Sequence, residues 1–432
     1  MYGSEPNPEA FPDGGMAANV VLLGSFMGLI ADFGIGNSMG AVQTYITTHQ
    51  LKHVEPTTIS WIFSIHLGVM YFGGVFFGEL FDLLGAKPPL VAGMLTIGAG
   101  LLLTAESTSV GQFILSFSIL TALGTSISMS PLIGALSHWF LRKRAMACLI
   151  ATIGGLVGAS VFPVMLQRLY QEAGFKWAMR ILALVCMGCM LVAVVLVKER
   201  AESDAGETGE HPPARFSVVA SARKTARFFR NALDLSILRD SRFVLLTVAV
   251  ALAELVLVST MTYFSFYALN KNVLEQSAYL LLTVVNVSGI PSRLAAGILA
   301  DAYGRFNVML VSSVITTVLV FGVWLPVGAR VAGLFVFATT FGMSTSAVIS
   351  LIPACTGQIC AADRFGKVYG TLYFLLGFLT VAGMAVASVV IGKGSGASLR
   401  NFVLYEGVVS ATSVVMWVAA RYSAVGWRVC KF

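Results

Sequence analysis

The sequence predicts an all-α membrane protein of twelve transmembrane helices in two pseudo-symmetric six-helix bundles, and three observations carry that prediction. Of the 432 residues 57% are hydrophobic and only 11% charged, too little polar material to cover a soluble globule of this length. Apolar runs of about 20 residues, the length a helix needs to cross a bilayer, recur along the whole chain. One motif is written twice: Gly78-Glu-Leu-Phe-Asp82-Leu-Leu-Gly85-Ala-Lys87 and Gly297-Ile-Leu-Ala-Asp301-Ala-Tyr-Gly304-Arg305 stand 219 residues apart, each closing an apolar run. A repeat of that length splits a polytopic chain into two equivalent halves.

In chain order the spans are predicted at 17–43, 58–81, 88–104, 111–139, 145–167 and 177–197, then at 242–269, 276–300, 306–327, 331–357, 366–391 and 399–421. The repeated motif falls between the second and third spans and again between the eighth and ninth. Its glycines (Gly78, Gly85, Gly297, Gly304) suit a tight turn between close-packed helices, and Asp82 and Asp301 can accept from a helix N-terminus or pair with a basic neighbour such as Arg305. It reads as a conformational-gate turn. In the fifth span Gly154, Gly155, Gly158 and Ala159 read as small residues that let two helices approach closely. The domains are therefore a tail (1–16), a first bundle (17–197), a central loop (198–241), a second bundle (242–421) and a tail (422–432).

With loops alternating sides, 19 Lys and Arg fall on the side of the two termini and 8 on the other, and Arg293 inside a span completes the 28. This bias predicts that both termini and the central loop are cytoplasmic, in the plasma membrane. The opening segment is acidic (Glu5, Glu9, Asp13) and has no basic n-region, so the first span reads as uncleaved. The central loop carries Arg223-Lys-Thr-Ala-Arg227-Phe-Phe-Arg230, either an amphipathic helix against anionic lipid or a linker obeying the same charge rule. The net charge of +7 has this source and implies no nucleic-acid partner. Cys148, Cys186, Cys189, Cys355, Cys360 and Cys430 have neither zinc-site nor disulfide-framework spacing and read as small core residues. Asn286-Val-Ser288 fits a glycosylation sequon but lies within a span, where modification is not expected.

Four segments resemble a known family. Pro12-Asp13-Gly14-Gly15 before the first span, Gly34-Ile-Gly-Asn37-Ser38 within it, Trp139-Phe-Leu-Arg-Lys-Arg144-Ala145 before the fifth and Ser292-Arg293-Leu-Ala-Ala-Gly-Ile-Leu-Ala-Asp301 in the eighth are similar to the monocarboxylate-transporter branch of the major facilitator superfamily, most of all its fungal members. The resemblance implies the major facilitator fold, a central cavity lined mainly by helices 1, 4, 7 and 10, and alternating access by rocking of the halves. It also implies an anion-binding role for Arg293. The chain departs from the family at three places: Met16, Ala17 and Ala18 follow the paired glycines where aromatics are usual, Asn37 stands at the Lys position of the animal lactate carriers, and Gly289 stands at their Asp position.

Charge inside the membrane marks the candidate site. Asp32 lies 16 residues into the first apolar run, roughly 24 Å along at 1.5 Å per residue, and Glu254 lies 222 residues later at the matching depth of the seventh span. Intramembrane charges cost at least about 2.5 to 3.5 kcal/mol each and are functional by default. Asp32 and Glu254 are candidate proton acceptors, or else acids in structural hydrogen bonds. His66 is a candidate proton relay, or a histidine bonded to a carbonyl. Arg293 binds a substrate carboxylate in a two-point grip or snorkels to the headgroups. Asn37 and Tyr373 complete the candidate substrate contacts. Tyr263, Phe264, Phe266 and Tyr267 with Phe341, Ser344, Thr345, Ser346 and Tyr369 would give an apolar cavity with a few polar fixing points, or simply pack.

No G-x-x-x-x-G-K-[ST] phosphate loop, no H-E-x-x-H and no nucleophile–base–orienter set is present, so ATP-driven transport and enzymatic catalysis are not expected, and no cofactor or metal is implied. The sequence thus reads as a carrier, functional as a monomer, whose partners are a small organic anion, a proton and membrane lipid. Export of a secondary metabolite and import of a monocarboxylate or related nutrient both fit. A non-transporting receptor on a carrier fold is the alternative from another class.

Overall fold

The computed structural model describes residues 14–140, 144–198, 233, 235–328, 330–360 and 365–426, leaving out the side chains of Gly78, Glu79, Asp82, Leu83, Ser137, Arg144, Ala145, Asp301, Ala347, Ile349, Phe365, Gly366, Lys367 and Val425. The basic stretch of the central loop and the side chains of the gate-motif Asp82 and Asp301 therefore lie outside what is described.

Among the described residues, twelve helices are long and apolar enough to cross a membrane, as predicted. They are α1 (Gly15–Asn37), α2 (Pro56–Leu84), α3 (Lys87–Glu106), α4 (Val110–Gly134), α5 (Arg144–Glu172), α6 (Gly174–Leu196), α7 (Ser241–Asn270), α8 (Glu275–Tyr303), α9 (Arg305–Val327), α10 (Val331–Ile359), α11 (Phe365–Ile391) and α12 (Gly396–Val425). The first predicted span is not one helix. It breaks at Ser38 and resumes as an extension, Met39–Thr48. The run Gly34-Ile-Gly-Asn-Ser is weakly helical, and the Asn37 side-chain amide donates to the Phe33 carbonyl at 3.0 Å, competing with the backbone ladder.

Local chemistry sets the helix ends. Pro56 opens α2, where a missing N–H is harmless. Ser109 and Gln112 form a capping box at α4, and Asp240 accepts from the Arg242 N–H at 2.9 Å to cap α7. At the repeated motif Gly85 and Gly304 end α2 and α8 at φ 77° and 95°, a conformation that only glycine adopts without strain. Arg305, just past the second turn, donates to the Ala354 carbonyl of α10 at 3.2 Å.

Packing repeats between the halves. α1 contacts α5 and α6 as α7 contacts α11 and α12; α3 lies on α6 as α9 lies on α12, and α2 on α4 as α8 on α10. The glycines of α5 permit the α1 crossing: a Cβ on Gly154 or Gly158 would fall on the carbonyls of Phe26 or Ile30. The halves meet most extensively where α2 packs on α11 and α5 on α8. Phe72 of α2 sits 5.3 Å from Phe374 and 4.6 Å from Phe378 of α11, ring centre to ring centre. Thr283 of α8 donates to the Ser160 carbonyl of α5 at 2.7 Å.

At the membrane side remote from the termini the halves are shut. The α1 extension lies on α7, with Gly40 so near the carbonyls of Met261 and Thr262 that no side chain fits between them. Across the same surface Lys393 pairs with Glu55 at 3.0 Å. The aromatics of α7 face into the second half: Phe264 and Tyr267 pack edge-on to Trp324 of α9, and Tyr263 to Phe402 of α12.

Candidate substrate site

Midway through the membrane, between the halves, lies a small cavity of about 20 Å³. Its lining is Asn37 and Leu156 from the first half and Leu257, Val285, Asn286, Gly289, Arg293, Gly342, Thr345 and Ser346 from the second. Gly289 and Gly342 keep it open, since a Cβ on Gly342 would meet the Val285 carbonyl. Asn286 does not present a free sequon amide. Its side chain donates to Leu282 at 2.8 Å and across the interface to the Ala159 carbonyl at 3.3 Å.

Arg293 is 2% exposed and does not snorkel to a headgroup. Its Nε donates to the Ser346 carbonyl of α10 at 3.3 Å and its Nη1 to the Thr152 carbonyl of α5 at 3.2 Å. Among the described residues no carboxylate forms an ion pair with it, so a buried guanidinium with five N–H donors is held by two neutral acceptors, one from each half.

Glu254 stands within electrostatic reach of Arg293 and accepts a hydrogen bond at 2.9 Å from the Tyr71 hydroxyl of α2. Its second oxygen has no partner. The Tyr71 ring lies 5.9 Å from that of Tyr373, whose hydroxyl accepts from Tyr369 at 3.2 Å. Glu254, Tyr71, Tyr373 and Tyr369 thus form a polar strand beside the cavity that spans both halves.

The structure does not bring Asp32 or His66 to this place. Asp32 is 1% exposed inside the first half, beside Cys186 of α6, with neither oxygen hydrogen-bonded. His66 Nδ1 donates to the Phe117 carbonyl of α4 at 2.8 Å, and its Nε2 has no partner. Phe117 lies in a π-helical stretch of α4, Ile114–Thr121, where loosened backbone pairing leaves carbonyls to side chains. Of the hydroxyl set, Thr345 and Ser346 line the cavity, while Ser344 is turned to α9 and accepts from Thr316 at 3.0 Å.

Two buried polar side chains escaped the sequence reading. Tyr71 is one of several aromatics in an apolar span, and nothing in its neighbourhood singles it out. Glu406 of α12 is 0% exposed with both oxygens unpartnered. The rule that flagged Asp32 and Glu254, a carboxylate within a span, applies to it equally.

Comparison with known proteins gives this architecture a family. The sequence model of the Major Facilitator Superfamily matches residues 24–384. The chain belongs to that superfamily. Among curated relatives, the riboflavin transporter MCH5 of Saccharomyces cerevisiae is 32% identical over 98% of this chain and 82% of its own. The MFS transporter asaE of Aspergillus flavus is 30% identical over 99% and 91%, and the aspyridones efflux protein apdF of Emericella nidulans 30% over 92% and 75%. Among solved structures, the peptide transporter POT in complex with sulfate superposes with a TM-score of 0.71 over 98% of both chains at 14% identity, a likeness of fold. The chain is thus a multi-pass membrane transporter of the major facilitator type, with fungal relatives.

Proposed function

We propose that this transporter carries a small carboxyl-bearing organic metabolite together with a proton, that Arg293 binds the carboxylate, and that Glu254 holds the proton. The observation that supports this most is Arg293 itself, a buried cation on the cavity wall with no ion-paired carboxylate. A substrate carboxylate would replace weak carbonyl contacts with two charge-assisted bonds in a matching planar geometry. Asn37, Thr345, Ser346 and Tyr373 are the proposed polar contacts for the rest of the molecule.

Coupling follows from the position of Glu254. An incoming anion occupies the Arg293 charge, and a proton joins Glu254 in its place. Each cargo thereby favours the other. The Thr152 contact adds a mechanical link, because an Arg293 drawn to substrate releases a carbonyl of the opposite half. Asp32 and His66, both away from the cavity, are not assigned the coupling proton. Both termini are assigned to the cytoplasm on the strength of the basic bias, and the plasma membrane is the proposed residence.

A second reading rests on the relatives. The 32% identity to a riboflavin transporter supports a riboflavin-like nutrient held by the side-chain oxygens of Asn37 and Asn286. The efflux relative supports outward movement of a secondary metabolite. Proteoliposomes with an imposed pH gradient, offered a panel of monocarboxylates and riboflavin, separate the two. Proton-linked movement of an acid that Arg293→Gln abolishes supports the first; movement of riboflavin alone, indifferent to Arg293, supports the second.

A further inference from the structure

A second group of buried polar side chains lies outside the cavity, towards the remote side. The Tyr263 hydroxyl of α7 sits beside Gln43 of the α1 extension, Ser60 of α2 and Ser388 of α11, and it feels the charge of Glu406 on α12. Exposure is 4% at Gln43, 2% at Ser60, 1% at Tyr263, 2% at Ser388 and 0% at Glu406. The cluster is nonetheless unsatisfied. Gln43 Oε1, Tyr263 Oη, Ser388 Oγ and both Glu406 carboxyl oxygens lack hydrogen-bond partners, while Ser60 is turned to Pro56 at 2.9 Å and Ser259, next to Glu406, to its own helix. A buried polar group without a partner costs about 1–3 kcal/mol. Five such atoms in one place need an explanation that packing does not give.

The membership of the cluster supplies one. Gln43 and Ser60 belong to the first half, Tyr263, Ser388 and Glu406 to the second, and all but Glu406 lie near the remote ends of their helices. The same surfaces meet at the Gly40 contact and the Glu55–Lys393 pair. Rocking of the halves must part them. We propose that Glu406, with the polar groups around Tyr263, is a second proton-binding site, dry while the remote side is shut and opened to water there when the α1 extension and α2 leave α7 and α11. In the shut state Glu406 is the neutral acid, since nothing pairs with a carboxylate. In the open state, water entering past Tyr263 solvates the carboxylate and receives its proton, or returns one. Tyr263 on α7 and Tyr405 on α12 itself are the ionisable groups that feel Glu406. Among the described residues the other helices packed on α12, α9 and α11, bring no charged group against it.

This inference does not depend on the substrate, and neither does its test. Dicyclohexylcarbodiimide is a small apolar reagent that adds to protonated carboxyls, and peptide mass mapping reads each acid separately. The full chain in lipid nanodiscs is labelled across a pH series in three forms: unmodified, Glu55→Cys/Lys393→Cys joined by a short bis-maleimide, and Gly40→Val, which props the remote side apart. Glu406→Gln, of the same shape, identifies the adduct. Glu406 labelling should fall severalfold as pH rises in the unmodified protein; at low pH, where the acid is protonated in either state and only access to it differs, labelling should drop severalfold on cross-linking and rise in Gly40→Val. Labelling equal in linked and unlinked forms, labelling insensitive to pH, or no labelling in any form would each show Glu406 to be a static buried acid. The cross-linked arm decides alone if Gly40→Val does not fold.

Discussion

Tyr71 and Glu254 are 183 residues apart in sequence and joined by one hydrogen bond of 2.9 Å that runs from α2 in the first half to α7 in the second. The proposed proton carrier is thus tied to the surface along which the halves move. Any change of charge on Glu254 alters that bond, because a phenol donates more strongly to a carboxylate than to a neutral acid.

Tyr71→Phe removes the donor and keeps the ring on Tyr373. Bonds to charged groups contribute about 1.5–3 kcal/mol, so a loss of roughly tenfold or more in transport at neutral pH is expected, with the pH profile displaced and the protein folded. Normal transport with an unmoved profile would detach Tyr71 from the coupling.

Arg293→Gln should abolish transport at unchanged membrane level. Arg293→Lys should recover little, because an ammonium offers no planar fork to a carboxylate or to the Thr152 and Ser346 carbonyls. Uptake assays with surface quantification check both. A fully active glutamine variant would remove the organic-anion assignment.

The twelve spans, the two halves and the turns at Gly85 and Gly304 were legible in the sequence because each rests on a local rule: span length, repetition, and the φ only glycine tolerates. The break at Ser38 was not, although Asn37 and the flanking glycines carry its signal. Depth along a helix was readable for Asp32 and Glu254, yet the direction each faces was not. That depends on rotation about the helix axis, which apolar residues on all sides leave unmarked in lipid. The bond from Tyr71 and the grip on Thr152 join helices from opposite halves, and no sequence spacing encodes them.

Gly158→Leu places a side chain on the Ile30 carbonyl and on Gly34 at the α1–α5 crossing. Overpacking of this kind costs about 1–3 kcal/mol. The thermal midpoint in detergent should fall clearly, while Gly188→Leu, which meets nothing within 4 Å, should leave it unmoved. Equal midpoints would show that the crossing relaxes freely.

The segment 198–242 carries nine of the 28 basic residues and is assigned to the cytoplasm. A cysteine at Ser203 should resist impermeant thiol reagents in intact cells and react after permeabilisation. Labelling in sealed cells would invert the topology.

The coupling claim stands or falls on Glu254→Gln. In proteoliposomes carrying the wild-type protein, an imposed pH gradient should concentrate the transported acid against its own gradient. With Glu254→Gln, exchange of labelled for unlabelled substrate across the membrane should persist while accumulation disappears, because the glutamine keeps the shape and cannot carry a proton. Accumulation by Glu254→Gln equal to wild type under a pH gradient alone would contradict the account.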